Sequence, residues 1–129
     1  MQWAFGVLLK ELRERRDLSA RELGRLAEID HAYIYRLEIG EKESPSEEII
    51  KKLLRFLKPA KREADMLRYL AEHKDADPAL VRHVLADASV SFDVFASVAG
   101  AVFRGTARPD YAKLIDRMRR MIEDDDAGE

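Results

Sequence analysis

The side chains best suited to chemistry at neutral pH are few in this sequence and poorly spaced for it. The three histidines, His31, His73 and His83, lie far apart, with no HExxH pair and no carboxylate cluster beside them, so nothing marks a metal site. Cysteine is absent. That excludes thiolate ligands and disulfides together and suits a reducing compartment. There is no GxSxG turn and no glycine loop that could cradle a phosphate. The expected chemistry is recognition rather than catalysis, with no metal and no cofactor.

The residues that could carry recognition are His31, Ala32, Tyr35 and Arg36. Helical periodicity puts them on one side of a short helix whose other side carries Ile34 and Leu37. What must hold that helix in place is a set of neighbours read from the same periodicity. A first helix runs from about Trp3 to Arg16 with Phe5, Leu8, Leu9 and Leu12 on one face, and Asp17-Leu18 breaks it. Ser19-Ala20-Arg21-Glu22 has the form of a capping box. It opens a second helix to about Glu28 that presents Leu23, Leu26 and Ala27. Asp30 caps the third helix, which ends at Gly40. Ser46 caps a fourth, with Ile49, Ile50, Leu53, Leu54 and Leu57, and Pro59 is expected in the first turn of a fifth, through Leu67, Leu70 and Ala71.

Only Glu28 to Asp30 separates helices two and three. So short a connection forces a steep crossing and needs a small residue where the backbones meet, which Gly24 supplies. Ile29 in the turn is read as a further inward anchor. On these residues the sequence resembles the lambda-repressor-like, XRE-type family of regulators, from about Phe5 to Leu57. The strongest stretches are Leu18-Ser-Ala-Arg-Glu-Leu-Gly-Arg-Leu-Ala27, Ile29, Tyr33-Ile-Tyr-Arg-Leu-Glu-Ile-Gly40 and Pro45-Ser46. The resemblance implies an all-α, five-helix domain that binds double-stranded DNA, with helix three in the major groove.

Carried over by position, it makes His31, Ala32, Tyr35 and Arg36 the base-reading residues. Arg36 could give two donors to guanine, Ala32 could meet a thymine methyl, and His31 could donate to a purine N7 or a phosphate. It assigns phosphate contacts to Ser19, Lys42 and Ser46. Tyr33 either packs against helix one or reaches a phosphate with its hydroxyl. Arg13 and Glu38 match a family pair that ties helix one to the end of helix three. Three positions depart from the pattern: Ala20 where glutamine is common, and Asp17 and Glu28 where glycine is common.

Beyond this domain, taken as residues 1–72, the sequence predicts a helical C-terminal region over 73–122 and a disordered acidic tail over 123–129. Pro78 starts a short helix with Leu80, Val81, Val84 and Leu85; Ser91 caps another, stopped at Gly105; Pro109 starts the last. The segment from Phe92 to Phe103 is nearly all apolar or small. A helix of that kind needs cover on most sides. Phe92, Phe95, Val98, Val102, Phe103, Leu114 and Met118 are therefore expected to build a homodimer interface. Two-fold symmetry would then set two copies of helix three on successive major grooves of a palindromic operator.

Residues 1–62 carry 14 Lys and Arg against 11 Asp and Glu, whereas residues 63–129 carry 9 against 14. The basic half suits phosphate and the acidic half is kept away from it. No stretch is apolar for long enough to span a bilayer, and the N-terminus lacks the pattern of a signal peptide. The expectation is a cytoplasmic, dimeric repressor. The alternative is an antitoxin or other interaction module whose C-terminal half binds a protein partner. A protease partner is also conceivable from the stretch Phe103 to Pro109, which loosely resembles the C-terminal domain of protease-inactivated repressors.

Overall fold

A computed structural model describes residues 2–101 and 109–127, and all regular structure among the described residues is helical. The chain divides into two compact units, Met1–Pro78 and Ala79–Glu129.

The first unit holds α1 (Ala4–Arg15), α2 (Ala20–Ala27), α3 (His31–Ile39), α4 (Glu47–Leu57) and α5 (Lys61–Glu72). Its interior is one cluster of fully buried side chains. Phe5, Leu8 and Leu9 come from α1, Leu23 from α2, Ile34 and Leu37 from α3, Leu53 and Leu57 from α4, and Met66, Leu67 and Leu70 from α5. Burying a side chain of this size contributes roughly 1.5–3 kcal/mol, so five short helices, none stable alone, hold one another in place.

The helix starts follow from local hydrogen bonding. Ser19 Oγ accepts from the Glu22 N–H at 3.0 Å while Glu22 accepts from the Ser19 N–H at 3.0 Å. Asp30 accepts from Ala32 N–H at 3.0 Å and Ser46 from Ile49 N–H at 3.3 Å. Two expectations need correcting here. Pro59 lies outside α5, which opens at Lys61. It follows Lys58, the left-handed cap of α4 (φ 47°), and so acts as a stop for the helix before it. Leu26 is 41 % exposed. The buried stripe of α2 runs through Leu23, Gly24 and Ala27, and Leu26 sits roughly 60° off its edge at Leu23.

The second unit contains α6, which opens at the boundary (Pro78–Leu85), α7 (Phe92–Ala101) and α8 (Tyr111–Ala127). Ser91 Oγ caps α7 through Val94 N–H at 3.1 Å, and Asp110 caps α8 through Lys113 N–H at 3.2 Å. Pro109 therefore precedes the last helix rather than starting it. That helix continues to Ala127, into residues expected to be disordered. Just before that end Arg120 pairs with Asp116 one turn earlier, an i,i+4 contact that supports this part of the helix.

Phe95 and Val98 are buried inside the single chain, at 0 % and 1 % exposed. They are therefore not available as a free interface. Phe92, Leu114 and Met118 are half-buried. Val102 and Phe103, the expected stop at Gly105 and most of the Phe103–Pro109 stretch lie outside the described residues. Among the described residues, no helix is long and apolar enough to cross a membrane.

Candidate nucleic-acid interface

The geometry around α3 starts with the turn that precedes it. Glu28 ends α2 in the left-handed conformation (φ 56°, ψ 45°), and Ile29 N–H returns to Gly24 O at 2.9 Å. A side chain other than hydrogen at residue 24 would put a Cβ 2.5 Å from Ile29 O and 3.2 Å from His31 Cα. Gly24 thus sets how closely the start of α3 approaches α2. Ile29 itself is half-buried. At the other end Gly40 adopts φ 82° and Glu41 N–H closes onto Arg36 O at 2.9 Å, which stops the helix cleanly.

Two further ties fix α3 against α1. Arg13 makes a two-pronged pair with Glu38, Nε to Oε2 at 2.7 Å and Nη2 to Oε1 at 2.8 Å, and its remaining arm donates to Leu18 O at 2.8 Å. The bond to Glu38 raises the Arg13 pKa above its ordinary value, outweighing burial, which acts in the opposite sense. The Trp3 indole N–H donates to Leu37 O at 2.5 Å. Gly6 lies under the same end of α3, where an added Cβ would collide with Glu38 O.

Trp3 and Gly6 were not singled out from sequence as positioning residues. The only signals were an indole N–H needing an acceptor and a glycine inside a helix.

Held this way, α3 turns Ile34, Leu37 and Glu38 inward. His31, Tyr35 and Arg36 are exposed, Tyr35 by 57 %, and Ala32 is half-buried. At 100° per residue these four side chains share a face roughly 140° wide. Tyr33 stands at its margin, half-buried, and that burial pushes its hydroxyl above the ordinary tyrosine range. The face offers a guanidinium fork, an imidazole, a phenol and a methyl group, all on a rigid helix.

The proposed phosphate positions are less uniform. Lys42 is exposed in the loop after α3, flanked by exposed Glu41 and Glu43. Ser46 caps α4, whose first turn carries Glu47 and Glu48. At Ser19 an anion is already in place, because Glu22 takes the Ser19 N–H. That contact, with the Ser19 hydroxyl second, holds the Glu22 carboxyl below the usual range. Arg21 and Arg25, exposed one turn apart on α2, are cations that the sequence reading left aside.

The helix-turn-helix domain family matches residues 4–65. No curated protein and no solved structure matches the chain. The matched span takes in α1 to α4, the Arg13–Glu38 tie and the outward face of α3, while Trp3 lies just before it. Over residues 4–65, just under half of its length, the chain is therefore similar to the helix-turn-helix domain family, of the Cro/C1/XRE type, a kind of domain that implies DNA binding.

Proposed function

We propose that the chain is a sequence-specific transcriptional regulator that represses as a dimer on a palindromic operator. In this reading α3 enters the major groove of double-stranded DNA. The reading rests on exposed His31, Tyr35 and Arg36 with half-buried Ala32 on the same face, carried by a helix anchored at both ends. Base reading needs side chains held to within a fraction of an ångström, and a helix tied at Gly24, Glu38 and Leu37 O meets that need. Arg36 reads guanine with two donors, while Ala32 and His31 define the neighbouring positions. Lys42 and the Ser46 end of α4 touch phosphates and set the register, with Tyr33 and Ser19 at the margins. The regulator works in the cytoplasm, without a cofactor and without catalysis.

Selection of bound DNA from a random pool tests this reading. Wild type is expected to enrich a site of two inverted halves centred about 34 Å apart along the duplex. Arg36→Ala is expected to lose about 1–3 kcal/mol at one position in each half and leave the other positions unchanged. Enrichment of no sequence at moderate salt would end the specific-regulator reading. An unchanged site for Arg36→Ala would remove that residue from the base-reading set.

A further inference from the structure

The charges of α8 run against its own dipole. A helix favours acidic groups in its first turn and basic groups in its last, and α8 has neither. Its basic residues, Lys113, Arg117, Arg119 and Arg120, come first with Asp116 among them, and the acidic run Glu123, Asp124 and Asp125 closes the described side chains. Along the same helix Leu114, Met118 and Ile122 are only half-buried and Met121 is 55 % exposed. Met121 shares one shallow depression with Lys113, Asp116, Arg117, Arg120 and Asp124. The helix thus carries an incompletely covered apolar stripe bordered by charges that change sign along its length.

We propose that this face of α8 is the surface on which a second copy of the chain docks, with the two α8 helices antiparallel. The proposal rests on the dimeric reading above and names its site. Antiparallel pairing brings the basic half of each helix against the acidic half of the other and sets the dipoles in opposition, whereas parallel pairing faces like with like. With Met118 opposite the partner subunit's Met121, Arg117 lies within a turn of the partner subunit's Asp124. Lys113 then lies within one residue of the position opposite the partner subunit's Asp125. The two-fold axis repeats each pair, so one match counts twice. One face of a 17-residue helix is a small interface, so the self-association falls in the micromolar range.

Sedimentation equilibrium of the full chain at low salt, up to on the order of 100 µM, is the test. Wild type is expected to dimerise. Met121→Glu and Arg117→Asp are each expected to weaken the dimer by about tenfold or more, and Arg117→Asp with Asp124→Arg to recover most of the loss. Far-UV circular dichroism checks that each variant keeps its helices. A wild type that stays monomeric overturns both this site and the dimeric reading. A dimer that ignores Met121→Glu and Arg117→Asp overturns the site and leaves the dimeric reading standing.

Direction is read separately, using the absence of native cysteine. Lys113→Cys and Asp125→Cys chains are expected to form a disulfide when mixed and oxidised, and to form few when oxidised alone. Efficient cross-linking of either variant alone overturns the antiparallel arrangement.

Discussion

Glu38→Ala probes how much the placement of α3 depends on one ion pair. Glu38 has a side chain 4 % exposed, Arg13 one 14 % exposed, and they meet through two short bonds. Removing one partner of a buried pair costs about 3–5 kcal/mol, because the other charge is left unpaired. Here Arg13 keeps some access to water and its bond to Leu18 O. The loss is therefore expected at the low end, about 3 kcal/mol. For a domain whose total stability is on the order of 5–15 kcal/mol, that is a large fraction. Arg13→Met combined with Glu38→Leu removes both charges and is expected to come within about 1 kcal/mol of wild type. Urea unfolding followed by fluorescence suits the measurement, since Trp3 is the chain's only tryptophan and bonds to α3 itself. A Glu38→Ala loss below about 1 kcal/mol, or a double variant no better than the single ones, would refute the argument.

Three other perturbations have definite expected outcomes. Gly24→Ala gains about 1 kcal/mol of helix propensity but drives a Cβ onto the Ile29 carbonyl. Overpacking against backbone wins, for a net loss of about 2 kcal/mol in the same urea assay, and an unchanged midpoint would show that the crossing can widen freely. Glu28→Gly relieves a left-handed residue and is expected to stabilise by about 1 kcal/mol; a loss would mean that the Glu28 side chain holds the turn by contacts of its own. The Glu22 pKa is depressed by the folded capping box, so its stabilisation is complete above the unfolded carboxylate value of about 4.3 and is lost as pH falls through the lower folded value. Glu22→Gln is thus expected to be less stable than wild type near neutrality and to converge with it in acid. Parallel stability profiles from about pH 6 down to pH 3 would contradict this.

What was legible in the sequence was mostly local. Ser19 with Glu22, Asp30, Ser46 and Ser91 were readable as caps because each bonds within three residues of itself. The outward row of α3 was readable because Ile34 and Leu37 leave it only one side to occupy. Prolines were less informative. Pro59 and Pro109 mark boundaries, but the helix they precede opens only after Ala60 and Asp110. A residue with fixed φ and no N–H suits either the end of one helix or the start of the next. The contacts of Trp3 with Leu37 O and of Gly6 with Glu38 O were not legible, since they exist only once α1 and α3 have crossed.

The C-terminal half shows a different limit. High apolar content along Phe92 to Phe103 suggests a demand for a second copy, yet within its described part Val94, Phe95 and Val98 are buried in the single chain. Much of the remaining apolar character belongs to Ala96, Ala99, Gly100 and Ala101. Such residues present little area, so leaving them half-buried or exposed forfeits little hydrophobic free energy. Average apolarity therefore overstated the cover that α7 needs. The longer side chains of α8 present more unburied surface, with Met121 more than half exposed among charges of both signs. Self-association is accordingly better carried by α8, whose charges change sign along its length, than by the apolar α7. On α8 an apolar stripe supplies the attraction and the charge order selects one direction of pairing.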